Sequence, residues 1–400
     1  MKDAGFDAYL VGGGVRDLLL GREPKDFDIA TNAHPDEVKA QFRNCRIIGR
    51  RFRLAHVHFG REVVEVATFR AAKPAAGSDA IITDNGRIVR DNSYGTIEED
   101  AWRRDFTVNA LYYNIRDFSV VDFTGGLEDL EHGVLRLIGD PVVRYHEDPV
   151  RMLRAVRFAA KLGFRIHEDT ERPLLELGRL LTEIPAARLY EEVLKLFLGG
   201  AAVNTFELLR HYGLFQYLFR QCEDALNKDP QRPENRLVTL ALENTDERIA
   251  MGKSVTPGFL FAALLWAPMR DVARELQGRG LSELQAFQQA GGIVLRRQLP
   301  SVAITKRYSL FMRDIWQMQP RLAKIKGRRA LRLLALPRFR AAYDFLLLRQ
   351  RAGEDLAEIC DFWKQHQDQA EARQEGAAEG TAAPRRRRRK RPRRRAAQKS

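Results

Sequence analysis

The sequence predicts an α+β protein, with a β/α head followed by an all-helical neck and body and a basic tail. Three observations carry this. From Asp7 to about Gly139, short apolar runs bounded by Gly, Pro, Asn and Asp alternate with helical patterns. Beyond Pro149 the strand signals fade and apolar residues recur at helical spacing. From Pro384 onward there are 11 Lys or Arg and no acid, a composition that cannot bury a core.

In the head, residues 9–11 form a short strand running into Gly12, Gly13 and Gly14, a turn that lets the backbone approach a ligand closely. Residues 15–20 form a helix stopped by Gly21. Residues 26–30 form a second strand. Positions two apart on a strand share a face, so Asp26 and Asp28 are expected side by side, roughly 6–7 Å apart. Residues 35–42 are helical with Asn32 as N-cap. A strand starts at Arg46, and residues 56–59 and 62–69 flank Gly60 and Arg61 as a hairpin. Residues 71–92, rich in Ala, Gly, Ser, Asp and Asn, read as a mobile loop. Thr96 and Glu99 form a capping box for a helix reaching about Arg104. Strands at 111–114 and 120–123 close the head before Gly125 and Gly126.

Residues 148–162 form an amphipathic helix. Arg151, Arg154, Arg157 and Lys161 lie on one stripe; Val150, Leu153, Val156 and Ala160 lie on another. Further helices are expected at 171–181, 186–198, 204–212, 257–277, 281–289, 306–317, 328–334 and 338–353. Residues 365–384 are polar and rich in Ala, Glu, Gly and Gln, and read as a linker. The chain thus divides into a head (1–140), a neck (141–200), a helical body (201–364) and a linker with its Arg-rich tail (365–400).

The net charge of +14 is concentrated in the tail; without its 11 basic residues, 56 basic residues face 53 acidic ones. Cys45, Cys222 and Cys360 lack metal-ligand spacing, and three distant cysteines argue against a disulfide framework. The longest apolar run, 259–267, is too short to span a bilayer. Asp3 and Asp7 interrupt any signal-peptide core, so the expected location is cytoplasmic.

Two carboxylates on one strand face repel unless a cation lies between them. Beside a glycine turn and the basic residues Arg22 and Lys25, the expected ion is Mg²⁺. Phosphoryl and nucleotidyl transfer use carboxylates in this way, to hold metals that orient a triphosphate. A dehydrogenase or an ordinary NTPase is disfavoured. Asp17 stands where a dinucleotide fingerprint requires its last Gly, and no GxxxxGK[ST] sequence occurs. A third carboxylate has two candidates, Asp105 after the capped helix and Glu65 within the strand 63–66. Asp105 is equally readable as a partner of its neighbouring arginines, and Glu65 as a solvent-facing residue. Asp148 and Arg151, at i and i+3, present an acceptor and a planar donor suited to a base edge, although a surface salt bridge is the plainer reading. Four bases on one stripe call for a polyanion, either triphosphate or RNA.

The stretches GGGVRDLLLGREPKDFDIAT (12–31), RRDFTVNALYY (103–113) and EDPVRMLRAVRFAAKLGF (147–164) occur in this order. Together they resemble the signature motifs of the class II nucleotidyltransferases, the tRNA CCA-adding enzymes and bacterial poly(A) polymerases. The resemblance implies a DNA-polymerase-β-like head with a mixed or antiparallel sheet. It also implies attack by an RNA 3′-hydroxyl on the α-phosphate of a nucleotide, with two Mg²⁺ ions and release of pyrophosphate. Asp26 and Asp28 match the metal ligands, and Asp105 matches the carboxylate taken as third catalytic acid and metal ligand in preference to Glu65. Gly13 and Arg16 match nucleotide-phosphate positions, and Arg104 and Asn109 positions near the sugar and phosphates. Asp148 and Arg151, with Arg154 beside them, match the reader of the base.

Residues 47–57, 194–219 and 338–344 resemble the poly(A) polymerase branch, as does an Arg-rich C-terminus, and no HD phosphohydrolase motif follows the neck. The expected activity is template-independent addition of AMP from ATP to RNA 3′ ends by a monomeric catalytic unit. A CCA-adding tRNA nucleotidyltransferase and a non-catalytic RNA-binding protein of the same fold are the alternatives. Arg157, Lys161 and the tail residues Arg385, Arg386, Arg387, Arg388, Arg389, Lys390 and Arg391 are expected to bind RNA. The tail run also suits a protein partner or an anionic membrane surface. The chain begins a few residues before its first strand, where the family implies an N-terminal extension.

Overall fold

The computed structural model describes residues 1–24, 26–49, 53–72, 81–82, 88–90, 93–325 and 330–380. Lys25, most of the loop 71–92 and the basic run 385–391 lie outside the described residues.

The head is one mixed sheet with short helices against it. Its strands are β1 (Ala8–Val11), β2 (Asp28–Thr31), β3 (Cys45–Ile48), β4 (Leu54–Phe59) and β5 (Glu62–Thr68), then a separate ribbon, β6 (Ile81–Ile82) and β7 (Ile88–Arg90), and finally β8 (Leu111–Tyr113) and β9 (Val120–Asp122). The helices are α1 (Gly13–Leu19), α2 (Pro35–Gln41), α3 (Ile97–Arg103) and α4 (Gly126–Glu131). The sheet order is β3-β4-β5-β2-β1-β8-β9. Within this sheet, among the described residues, β2 and β5 are the one parallel pair; their register sets Asp28 opposite Glu65. On its other side β2 pairs antiparallel with β1, Val11 opposite Asp28.

That register corrects the expected second strand. Strand β1 stops at Val11 because Gly12 turns the chain with φ 76°, so β1 offers no partner to residues before Asp28. Asp26 therefore precedes β2, although it lines the same cavity as Asp28. Asn32 does not cap α2 either. Its Oδ1 accepts from the Asp7 backbone N–H at 2.9 Å, and His34 caps the helix through a box with Glu37. The box on α3 forms as expected, with Thr96 and Glu99 satisfying each other's backbone N–H groups.

Past the head, β10 (Val134–Leu135) pairs with β11 (Arg165–Ile166) and stitches head to neck. The neck carries α5 (Pro141–Glu147), α6 (Val150–Leu162), α7 (Glu168–Leu177) and α8 (Ala186–Phe197), and α9 (Ala202–His211) opens the body. The body adds α10 (Phe215–Lys228), α11 (Pro233–Ala250), α12 (Pro257–Leu264), α13 (Trp266–Gly278), α14 (Glu283–Gln298), α15 (Lys306–Leu322), α16 (Phe339–Arg351) and α17 (Ala357–Gly380). One apolar core runs from Leu10, Val15 and Phe106 in the head, through Met152, Leu153 and Val156 of α6, to Phe261, Trp266 and Trp316 in the body.

Several helices escape sequence reading for physical reasons. Helix α11 buries Glu234, Asn235 and Thr245 at core positions, which blurs its apolar stripe; Glu234 is satisfied there by Arg274 at 2.6 Å. Helix α14 continues through Gly291, whose missing side chain admits Trp316; a Cβ there would stand 3.2 Å from the indole. Helix α17 replaces the expected linker from residue 365. Ala, Glu and Gln are strong helix formers, and Trp363 anchors the helix through a 2.9 Å bond to the Leu322 carbonyl.

Gly126 opens α4 directly beneath the segment carrying Thr107 and Asn109. A Cβ there would lie 2.2 Å from the Thr107 carbonyl oxygen. Gly126→Ala is expected to lower stability by about 1–3 kcal/mol, read as a reduced urea midpoint; an unchanged midpoint would show that the segment yields freely.

Candidate active site

Two cavities flank the joint between head and neck. The first, about 330 Å³, is lined from the head by Gly13, Gly14, Arg16, Asp17, Asp26 and Asp28. From the neck it takes Arg157 and Lys161 of α6 and Lys195 of α8. The Gly12 turn permits this, since it starts α1 immediately behind β1 and brings its first residues to the cavity wall. Burial first, then the charge of Glu65, pushes the Asp28 carboxyl above its usual range; Arg104 pulls it back and Asp26 adds to the rise. Glu65 stands opposite Asp28 through strand register, with its Oε1 3.1 Å from His56 Nε2. This is a cluster of hard oxygen donors under mutual repulsion.

The second cavity, about 560 Å³, is lined by Arg104, Asp105, Arg144, Glu147, Asp148, Arg151, Arg154, Arg188 and Glu192, among others. Asp148 lies in the turn between α5 and α6 and not on a helix face. Its Oδ1 accepts from Val150 N–H at 3.3 Å, and its Oδ2 from Arg188 at 2.6 Å. Arg151 donates to Glu147 Oε2 and to the Arg144 carbonyl, both at 2.8 Å. Asp148 and Arg151 thus share a cavity wall without pairing as the salt bridge of the plainer sequence reading. Each is held by its own partner.

A buried polar chain separates the cavities. Arg16, only 2% exposed, donates to Asp17 Oδ1 and to Asn109 Oδ1. Asn109 Nδ2 reaches Asp105 Oδ1 at 3.5 Å, and Arg154 Nε donates to Asp105 Oδ2 at 2.6 Å. The Phe158 ring lies beneath the guanidiniums of Arg16, Arg154 and Arg157, at 5.3, 5.4 and 4.4 Å. Burial alone would raise the Asp105 carboxyl, but Arg154, the Phe106 N–H and Asn109 hold it below the usual carboxylate range. Arg104 stands apart from this chain, bonded to Asp100 and Tyr112.

The structure therefore brings Glu65, not Asp105, to Asp28. Fully buried Phe106 and the bond from Ile138 N–H to the Asp105 carbonyl turn the 105–109 segment inward toward α6. Asp105 ends against Arg154 in the wall of the second cavity. Sequence reading also passed over Arg188, Glu192 and Lys195. Their i, i+4, i+7 spacing on one helix face was the available signal.

Because the Asp28 pKa is raised on folding, its ionised form opposes folding, and that cost is fully present above the folded-state pKa. Asp28→Asn is therefore expected to raise the melting temperature of metal-free protein at pH 7. The difference should fade as pH falls below the ordinary Asp range, where wild type is itself neutral. An unchanged or lower melting temperature at pH 7 would contradict the repulsion.

Residues 8–136 match the poly A polymerase head domain, 163–226 the probable RNA and SrmB-binding site of polymerase A, and 279–396 the polymerase A arginine-rich C-terminus. The chain is 50% identical to poly(A) polymerase I of Escherichia coli O157:H7 over 382 residues, covering 94% of this chain and 82% of that protein. It is 40% identical to a CCA-adding enzyme of Lactobacillus helveticus, over 208 residues and 52% of this chain, 50% of that protein. A tRNA nucleotidyltransferase solved with a primer tRNA and an incoming ATP analog shares the fold, with a TM-score of 0.61 and 23% identity over 93% of this chain and 98% of that one. Identity at this level along nearly the whole chain places the protein in the bacterial poly(A) polymerase family.

Proposed function

We propose that the chain is a template-independent polynucleotide adenylyltransferase that adds AMP from ATP to RNA 3′ ends. One observation carries the reading. Helix α6 lines both cavities, so the stripe from Asp148 and Arg151 through Arg154 to Arg157 and Lys161 joins a base-sized recess to the carboxylate cluster. From residue 148 to residue 161 this stripe spans roughly 20 Å, the scale of an extended nucleoside triphosphate. The base sits in the second cavity between Asp148, Arg151 and Arg154, with Arg188 and Glu147 fixing the first two. The phosphates lie toward Gly13, Arg16, Arg157 and Lys161 in the first. Arg157 and Lys161 then serve the triphosphate before the RNA.

Asp26, Asp28 and Glu65 are the proposed metal ligands, and Glu65 replaces Asp105 as the third acid. An all-oxygen set suits Mg²⁺, and two ions are proposed. Among the described residues no three His, Cys, Asp or Glu side chains converge enough to chelate an ion alone; substrate phosphates and water would complete its shell. When bound, Mg²⁺ neutralises the triphosphate and favours the deprotonated 3′-hydroxyl. The protein's own part is to align the two substrates along α6 and to exclude water from the seam that Asp105 and Arg154 close. Arg104 and Asn109, which flank that seam, are the proposed sugar-side contacts.

Every residue invoked belongs to one chain, so a monomeric catalytic unit is proposed. Among the described residues no helix is long and apolar enough to cross a membrane, and a cytoplasmic location completes the proposal. The Arg-rich tail is proposed to tether RNA through its phosphates. A CCA-adding activity is the second reading. It is disfavoured because the identity to CCA-adding enzymes covers about half of this chain, against 94% for poly(A) polymerase I.

On an oligo(A) primer offered each of the four nucleotides, efficient and continued incorporation is expected from ATP alone. Self-limiting addition of C, C and A to a tRNA lacking its CCA end would overturn the assignment. Glu65→Gln is expected to lower kcat on the order of 100-fold or more. Asp105→Asn is expected instead to raise the KM for ATP by loosening Arg154. If Asp105→Asn abolished turnover while Glu65→Gln did not, the roles would be reversed.

A further inference from the structure

Outside both cavities, the body carries two exposed arginines, Arg307 and Arg338, seated over aromatic rings. On α15, Tyr308 and Phe311 lie three residues apart and rest on Gly258 at the start of α12. A Cβ there would meet Phe311 Cδ1 at 2.9 Å and Tyr308 Cδ1 at 3.2 Å, so the rings settle on bare backbone. The Arg307 guanidinium lies 5.6 Å over the Tyr308 ring, and that of Arg338 lies 4.9 Å over the Phe311 ring. Both arginines are exposed. Neither forms an ion pair among the described residues, and α15 carries a single acid, Asp314.

Arg338 has a further peculiarity. It caps α16 in the left-handed region, φ 72° and ψ 3°, which disfavours any residue with a Cβ. A glycine would serve the turn better, so the backbone supplies no reason for arginine there. What the side chain does is cover Phe311 and present its free guanidinium edge to solvent.

The patch adjoins the catalytic joint. Ala303 N–H donates to the Ala186 carbonyl at 3.1 Å, which ties the loop before α15 to the start of α8. Two residues after Ala186, Arg188 lines the second cavity.

We propose that the Arg307–Tyr308–Phe311–Arg338 patch holds single-stranded RNA a few nucleotides upstream of the 3′ end being extended. Stacked guanidiniums offer flat faces to unpaired bases and N–H edges to phosphates, the combination that holds single strands without reading sequence. The proposal rests on the polyadenylation reading for the identity of the strand. It adds a fixed RNA-binding surface on the body, within the matched segment 279–396 but apart from the basic run 385–391 and from residues 163–226.

The test uses full-length protein carrying Arg338→Gly, alone and with Arg307→Ser. Glycine suits the positive φ, so the melting temperature should hold or rise. Affinity for a labelled oligo(A) of about fifteen nucleotides, read by fluorescence anisotropy, should fall about 5- to 10-fold for the single variant and further for the double. The slope of log affinity against log salt should shrink by about one for each phosphate that the variant no longer neutralises. In extension assays the rise in primer KM should be larger for that primer than for a trinucleotide. Arg321→Ser, an equal loss of charge about 20 Å along α15, should leave affinity unchanged. Unchanged RNA affinity and salt slope in the folded double variant would overturn the proposal and leave the polymerase reading intact. Failure of wild type to extend any primer would overturn the polymerase reading, and the anisotropy comparison would still decide whether the patch binds RNA.

Discussion

Arg154, partly withdrawn from solvent between head and neck, finds its opposite charge in Asp105. The two come from different parts of the chain, Asp105 following α3 in the head and Arg154 lying on α6 in the neck. Removing either would leave the other charge at the seam without its partner. The pair therefore pins one face of α6 to the head. Met152, Leu153, Ala155 and Val156, all fully buried, pin the opposite face into the core shared with the body. With both faces held, the polar stripe of α6 has one available position, along the two cavities.

The site holds two kinds of carboxylate, and their electrostatics assign their tasks. Asp105 is neutralised by a guanidinium and two further donors, and its energy is spent on holding the joint together. Asp28 is destabilised by burial and by Glu65, with Arg104 offsetting part of that cost, and a cation brought from outside would relieve the rest. A cluster that is costly in the free protein is a favourable place for a metal and its triphosphate. Such local conflict within an otherwise satisfied structure is where function is expected.

The recess proposed for the base is built from the same logic at smaller scale. Asp148 and Arg151 are each held by a separate partner, Arg188 on α8 and Glu147 on α5. Their hydrogen-bonding edges cannot collapse onto one another as a simple ion pair would. The body takes part because α8 carries Arg188 and is bonded through Ala186 to the loop before α15. The second cavity and the basic surface on α15 are thus successive faces of one packed assembly.

Much of this was legible in the sequence. The strand and glycine turn at 9–14, the box at Thr96 and Glu99, and the stripe from Arg151 to Lys161 are set by local propensity and spacing, which operate over a few residues and survive transfer from reading to structure. The candidate residues Asp26, Asp28, Arg16, Asp148 and Arg151 were legible as chemistry for the same reason. Helix α11 was not, because buried polar groups break its periodicity, and α17 was not, because a polar helix former resembles a linker until Trp363 finds its place in the core. The choice between Asp105 and Glu65 was undetermined by sequence for a deeper reason. Which carboxylate faces Asp28 depends on β5 pairing parallel with β2, 37 residues earlier in register, and on Arg154 claiming Asp105 from 49 residues away. The sequence alone determined that acids, arginines and a glycine turn would occur together in the head and neck. Only the tertiary structure decided which acids stand together, because register and charge pairing act between segments that local sequence cannot relate.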